Sequence, residues 1–461
     1  MDYQEFVRTK HAAAPRAGFH RAVDADSILF PFQRRLVEWA WEQGRAALFA
    51  DTGLGKTGMQ LTWADGVVRE TGKPVLGIGP LAVIGQTSDE ARKFGIEGVR
   101  VVRGGETPGR IDFVNYERVK HMDIAAYGGV VLDESSILKN AAGATRNRLV
   151  RWFANTPYRL ACSATPAPND HTELGNHAEW LGVMDEAVMR ATWFLNDTSQ
   201  TVNPWRLKRH AVRDFWRWVA TWSRSVSKPS DIGDFDDSTY DLLPLDVVHH
   251  TVDVDITTDA PDGMLFRIPE MSATSIHAEK RRTLSQRVAE VQRIVASAPD
   301  EPWIVWCETN YEQDALVAAF PEAIDVRGSM KPEDKAAGLL RFSAEGGIII
   351  TKPSIAGMGL NWQHCNRMVF AGGSYSYESF YQAVRRAHRF GQTRPVTAHV
   401  VMASTEVCIW QTIHRKAASH DEMRVQMLRA SSLAAKQYNA RSAYTPGHRA
   451  PIPAWIHTVN I

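Results

Sequence analysis

The sequence predicts an α/β protein built as two doubly wound parallel sheets in tandem. Three observations predict it. Short apolar runs alternate with helix-length stretches twice along the chain, on either side of an irregular middle. Each block carries a glycine-rich turn directly after one of its apolar runs. The polar residues capable of chemistry cluster where such runs end, at the carboxyl edge where parallel sheets hold their ligands. A chain of 461 residues has room for two or three domains of this kind.

Residues 1–27 read as a polar N-terminal arm. Pro31-Phe32-Gln33 then opens a helix with apolar Leu36, Val37, Trp39, Ala40 and Trp41 on its face. Ala47 to Ala50 is a buried strand that breaks into Asp51-Thr52-Gly53-Leu54-Gly55-Lys56-Thr57, followed by a helix. This is the context of a phosphate-binding loop. Glycines turn backbone N–H groups toward an anion, Lys56 can reach the β- and γ-phosphates, and Thr57 can place its hydroxyl on Mg²⁺. The strict G-x-x-x-x-G-K-[ST] pattern fails only at its first place, which is Ala50.

Further strands are expected at 74–78, 99–102, 111–114, 129–132 and 158–162, completing a first lobe over 28–184. The fourth of these ends in Asp133-Glu134. There Asp133 would hold Mg²⁺ and Glu134 would orient and deprotonate a water; alternatively both are solvated acids at a strand end. The fifth ends in Cys162-Ser163-Ala164-Thr165-Pro166, whose hydroxyls can bond the neighbouring acids or cap a helix at Pro166.

Residues 185–276 break the rhythm and read as a helical basic insertion and linker. Between Trp205 and Lys228, seven basic side chains, among them Arg213 and Arg217, face a single acid, Asp214, with four tryptophans interleaved. Such a segment either tracks phosphates or packs its tryptophans inward. A second lobe over 277–419 opens with a helix at 278–298 and has strands at 303–307, 323–326, 347–350, 367–371 and 396–401. Gly357-Met358-Gly359-Leu360-Asn361 is its glycine-rich turn. Gln382 to Gln392 sets Arg386 and Arg389 three residues apart, on one face if helical, against an anion. A C-terminal helix and tail occupy 420–461, with the helix packing back on the core.

Composition narrows the function classes. The net charge of +1 gives no global basic field, so a polyanion must be met by local patches. Cys162, Cys307, Cys365 and Cys408 form no C-x-x-C pair, so neither zinc nor a disulfide framework is expected. The first residues lack a secretory pattern, and no apolar run approaches the roughly 18 residues of a membrane span, so an intracellular, cytoplasmic protein is expected.

In their order, these motifs resemble the superfamily-two helicases over roughly residues 28–415, and most of all the Swi/Snf-like branch of duplex DNA translocases in its phage and bacterial forms without accessory domains. Gln382-Ala383-x-x-Arg386-x-His388-Arg389-x-Gly391-Gln392 matches the family's Q-A-x-D-R-x-H-R-x-G-Q except for Arg385 at the Asp. Asp51 to Thr57 is similar to its D-x-G-L-G-K-T, which accounts for Ala50.

The resemblance implies two RecA-like lobes with ATP and Mg²⁺ in the cleft between them. It implies Gln33 on the adenine, and the segment 51–57 together with Gly357, Gly359 and Gln382 around the nucleotide. Lys56, Asp133, Glu134, Arg386 and Arg389 would be catalytic, the two arginines as fingers from the second lobe. Thr57 and Asp133 would hold the metal, and Ser163, Ala164 and Thr165 would couple hydrolysis to lobe movement. DNA, preferably duplex, would meet Asn115, Tyr116 and Asn361, with Arg213 and Arg217 added if the basic segment tracks phosphates. Ser135-Ser136 stands where the family has Ala-His, a departure that bears on the usual link from the acidic box to the Ser-Ala-Thr turn and leaves the catalytic pair untouched. The expected activity is an ATP-driven DNA translocase; the alternatives are a strand-separating DNA or RNA helicase and an ATP-gated DNA-binding module without a motor.

Overall fold

In the computed structural model, apolar β1 (Arg45–Ala50), buried from Ala46 onward, lies inside a seven-stranded sheet. Burial on both faces is what a continuous apolar run requires, and it is the signature of a parallel sheet covered by helices. The residues described are 14–24, 26–197, 205–254, 273–356, 361–373 and 376–443. Gly357 and Gly359 lie outside them, as do most of the N-terminal arm and the tail beyond 443.

The first sheet adds β2 (Val75–Gly79), β3 (Val99–Val101), β4 (Ile111–Asn115), β5 (Gly129–Asp133) and β6 (Tyr158–Cys162), each close to its expected place. A short antiparallel hairpin, β7 (Phe194–Asn196) with β8 (Trp205–Leu207), stands beside it. The spatial order is β3-β4-β2-β5-β6-β1-β9, where β9 is Ser223–Val226, and every pairing is parallel. Helices α1 (Pro31–Gln43), α2 (Lys56–Thr71), α3 (Leu81–Lys93), α4 (Ala144–Trp152), α5 (Glu173–Leu181) and α6 (Glu186–Trp193) connect and cover it.

Besides that hairpin, two edge strands were not expected. The basic segment after residue 204 forms α7 (Val212–Trp222) and then β9, the edge strand beside β1. This segment therefore completes the first sheet instead of standing apart as an insertion. Its aromatic side is core: Phe215, Trp216, Trp218 and Trp222 are buried, while Arg213 and Arg217 are exposed on the opposite face. The supposed linker likewise supplies β10 (Leu245–Val252), an edge strand of the second sheet. Both were missed because edge strands alternate polar and apolar residues or carry arginines, and so lack an apolar run.

The second sheet runs β10-β15-β14-β11-β13-β12, again all parallel. Its other strands are β11 (Trp303–Trp306), β12 (Ile324–Asp325), β13 (Ile348–Thr351), β14 (Arg367–Phe370) and β15 (Val396–Ala403). The helix expected at 278–298 is observed as two, α8 (Ala273–Arg282) and α9 (Leu284–Ala296). They are followed by α10 (Asn310–Ala319), α11 (Pro332–Glu345), α12 (Pro353–Ala356) and α13 (Tyr377–Val384).

The chain's described part ends in α14 (Val407–Ala443), which leaves the second lobe and returns to the first. Met423 and Met427 enter the core formed by Trp216, Trp218 and Trp222, and Ser431 Oγ accepts the Ser225 N–H at 2.9 Å. No helix among the described residues is long and apolar enough to cross a membrane. Cys162, Cys307 and Cys365 are buried free thiols.

Candidate functional site

Strand register places the first-lobe residues together. In the parallel ladder Leu48 pairs Cys162, and Cys162 pairs Asp133, so β1, β6 and β5 end side by side. Asp51, Ser163 and Asp133 therefore start three adjacent loops on one edge of the sheet.

The loop after β1 is built as a cradle. Gly53 and Gly55 sit at φ of +94° and +75°, conformations that glycine adopts without strain. Gly55 immediately precedes Lys56, the first residue of α2, and a Cβ on it would meet Gln33 Nε2 at 2.3 Å. Gln33 bonds on both sides, accepting from the Phe30 N–H at 2.9 Å and donating to Leu54 O at 2.8 Å. It thus fastens α1 to the loop. Lys56 Nζ donates to Ala50 O at 2.8 Å and to Asp51 O at 3.3 Å, so the ammonium is held over the turn at the amino end of a helix, where an anion is favoured. Thr57 is half-buried in the first turn of α2.

The acidic pair lies one layer away. Gln60, one turn after Lys56, donates to Asp133 Oδ1 at 2.6 Å. Tyr116, expected on DNA, donates its hydroxyl to the main-chain oxygen of Asp133. Its neighbour Asn115 is buried at the end of β4. Glu134 is the only non-glycine residue at positive φ among the described residues, at 52°. Such a conformation costs on the order of 1 kcal/mol and persists where the surroundings impose it. Its Oε2 is buried without a hydrogen-bond partner in this structure.

Burial raises both acids. The Asp133 carboxyl is pushed up by desolvation, against the pull of Gln60 and Lys56. Glu134 is pushed up to about 7 by burial and by the charge of Asp133, opposed by Lys56 and by Arg386 from the second lobe. A carboxylate with its ionisation near neutrality is suited to proton transfer.

The donor set fits nucleotide and metal. Glu134 has a buried carboxylate oxygen without a hydrogen-bond partner, and the charge of Lys56 at the start of α2 acts on both acids. Among the described residues no group of three His, Cys, Asp or Glu side chains could hold an ion alone, so a divalent cation at Asp133 and Thr57 would take phosphate oxygens and water as its further ligands.

The second lobe brings its arginines to this edge, though not on a helix. Helix α13 ends at Val384, and Arg385 to Gly391 continue as turns, so the expected shared helical face of Arg386 and Arg389 does not exist. Position is fixed by other contacts: Trp362 N–H donates to Arg386 O at 2.9 Å, Arg386 Nε donates to Gln382 O at 3.0 Å, and Gln392 Nε2 donates to Cys365 O at 3.1 Å. Arg386 is buried, and desolvation lowers its pKa to about 10 against the favourable charge of Glu134. The charges of Arg386 and Glu134, on different lobes, thus act on each other. Arg389 is lowered by burial alone. Asn361 is exposed. Arg213 and Arg217 sit on α7, and Arg217 pairs with Asp214 at 3.6 Å.

The Ser-Ala-Thr turn is buried and caps no helix: Thr165 N–H donates to Ser163 Oγ at 3.0 Å, and the next helix begins only at Glu173. Ser135, beside the acidic pair, has a histidine partner from another element. Ser135 Oγ lies 3.1 Å from His177 Nε2, and the ring packs edge-on against Phe49 of β1. Burial lowers His177 to about 4, so its contact with Ser135 is made by a neutral imidazole at ordinary pH. No spacing cue marks His177, which reaches Ser135 from α5.

Residues 286–391 match the family described as the helicase conserved C-terminal domain, a span from α9 through Arg386 and Arg389. No curated protein matches the chain. Among solved structures, one described as the Sulfolobus solfataricus SWI2/SNF2 ATPase core in complex with dsDNA is similar at 16% identity and a TM-score of 0.42, covering 91% of this chain and 98% of that chain. The glycine-rich loop that ends in Lys56-Thr57 thus follows a strand of one parallel sheet, and the stretch similar to the helicase conserved C-terminal domain builds the greater part of the other.

Proposed function

We propose that this chain is a nucleic-acid-dependent ATPase that moves along DNA, preferentially duplex, as a Swi/Snf-like translocase. The observation that supports it best is that the segment 381–390 of the second lobe lies against the Asp51–Thr57 loop, with Arg385 on Asp51 and Phe390 over Gly53, and brings the buried charge of Arg386 to act on Glu134. Lys56 and Thr57 would take the phosphates and Mg²⁺ with Asp133, Gln33 would lie at the adenine, and Gly357, Gly359 and Gln382 would close the nucleotide from the second lobe. The bound Mg²⁺ would neutralise charge on the phosphates. Glu134 would accept a proton from the attacking water, and Arg386 with Arg389 would face the γ-phosphoryl oxygens. Because acid and arginines sit on different lobes, turnover would require closure. DNA bridging the lobes at Asn115, Tyr116 and Asn361 would favour closure, and Ser163 to Thr165 would transmit it. A motor on DNA would work inside the cell.

The test is ATP turnover with duplex DNA, single-stranded DNA, RNA or no nucleic acid, paired with displacement of a third strand from a triplex. Strongest stimulation by duplex, with triplex displacement and no duplex unwinding, is expected. Unwinding of a duplex would favour the strand-separating reading, and DNA binding without turnover would favour the ATP-gated module.

The exposed face of α7 supports a DNA contact at Arg213 and Arg217. Their joint replacement by Glu should weaken DNA binding at least tenfold and flatten its dependence on salt, leaving stability nearly unchanged. Unchanged affinity in a salt titration would confine α7 to packing.

A further inference from the structure

One residue that departs from the family pattern occupies a place the proposed chemistry does not use. Arg385, where the family has Asp, sends Nη2 to Asp51 Oδ2 at 3.0 Å. Asp51 opens the phosphate loop on the other lobe. Its Oδ1 accepts the Tyr381 hydroxyl at 2.5 Å and the Thr52 N–H at 2.8 Å. Arg424 of α14 approaches Oδ2 at 3.4 Å and also reaches Ser227 Oγ at 3.3 Å. The carboxylate is thus gripped from the second lobe and from the C-terminal helix at once.

The surroundings make this a closure contact. Phe390 of the second lobe packs over Gly53, where a Cβ would meet its ring at 2.6 Å. Lys139 of the first lobe pairs with Glu378 of α13. His420 of α14 packs on Tyr377 and Tyr381 with ring centroids 5.2 and 5.8 Å apart, so α14 touches α13 while Met423 and Met427 are anchored in the first lobe.

We propose that Tyr381, Arg385 and Arg424 are positioning residues that latch the second lobe onto the phosphate loop through Asp51, and that α14, by supplying Arg424, sets how readily the cleft opens. The physics favours a switch over passive packing. A buried carboxylate deprived of its cation is strongly disfavoured, so the closed arrangement depends on the pair, whereas an open cleft rehydrates Asp51 and needs none of it. Arg385 and Asp51 are both nearly buried, with side chains 9% and 8% exposed, whereas Arg424 is 39% exposed and its contribution is screened. Arg385 is therefore the main hold and Arg424 the adjustable one.

The consequence for turnover rests on the ATPase reading, but the latch itself does not. Hydrogen exchange on the full chain without nucleotide tests it at residues 45–60 and 377–390. Arg385→Ala should raise exchange in both segments together by about tenfold, with Arg424→Ala giving a smaller rise and Arg385→Lys an intermediate one. Strands β4 and β13 should keep wild-type protection, which separates opening from unfolding. A rise in one segment alone, or none, overturns the latch.

Steady-state kinetics add a second arm. Arg385→Ala should lower DNA-stimulated kcat by about tenfold, and Asp51→Asn combined with Arg385→Ala should lose no more than the worse single variant. Losses that multiply would overturn the shared action. If the wild type turned over no ATP, the motor reading would fail and the exchange arm would still decide the latch.

Discussion

Replacement of Glu134 by Gln should reduce ATP hydrolysis by at least about 10²-fold while nucleotide binding is retained. The carboxylate accepts a proton in the proposed step, and an amide of the same shape cannot. The pH dependence follows from its position. With ionisation raised to about 7 by burial and by Asp133, the base form of Glu134 accumulates as pH rises through neutrality. Wild-type kcat should therefore climb between about pH 6 and 8 and level off above. The limb should vanish in Glu134→Gln.

Stability should move the other way. A carboxyl raised from 4.5 makes folding less favourable once the unfolded chain would ionise, a cost absent below about pH 4.5 and fully developed above about 7. Glu134→Gln should accordingly be the more stable protein at pH 8 without nucleotide, by on the order of 1–3 kcal/mol, and should converge on wild type near pH 4. Thermal unfolding at the two pH values checks it. A variant that hydrolyses ATP normally would remove Glu134 as the base.

Replacement of Lys56 by Ala should have a comparable effect on hydrolysis through binding. Lys56 is the first-lobe cation held over the loop, contacting only backbone oxygens through its two hydrogen bonds. Its loss should weaken ATP binding and cut turnover by at least about 10²-fold. Unfolding should shift by only about 1 kcal/mol, the net worth of hydrogen bonds made by a half-buried ammonium. Equilibrium titration with a fluorescent ATP analogue and a steady-state assay measure both, and full activity would contradict the loop's assignment.

Much of this site was legible in the residues because parallel α/β folds write their chemistry locally. A strand end, a glycine turn and a helix start lie within a dozen residues, and Asp51 to Thr57 shows all three. Asp133-Glu134 and Ser163-Ala164-Thr165 end apolar runs that can only be central strands. The illegible parts depend on contacts distant in sequence. Nothing local to His177 says that it meets Ser135, and nothing local to Arg424 says that it reaches Asp51. Arg385 was visible as a departure from the family pattern, but its meaning needed the opposite charge across the cleft. Strands β9 and β10 were hidden for another reason: β10 is half-exposed and mixes polar with apolar residues, and β9 is a buried Ser-Arg-Ser-Val whose polar groups are met by contacts such as Ser431, distant in sequence. The turns at Arg386 and Arg389 were hidden by helix-favouring residues that tertiary contacts to Trp362 and Cys365 override.

The central claim is that one catalytic site is divided between two lobes. It is tested most directly by Arg386→Ala, measured for nucleotide affinity and for single-turnover hydrolysis with saturating duplex DNA. Affinity should stay within about threefold of wild type, because the first lobe supplies the loop. Hydrolysis should fall by about 10³-fold or more, because the transferring phosphoryl group loses its second-lobe charge. Single-turnover hydrolysis at the wild-type rate would contradict a divided site.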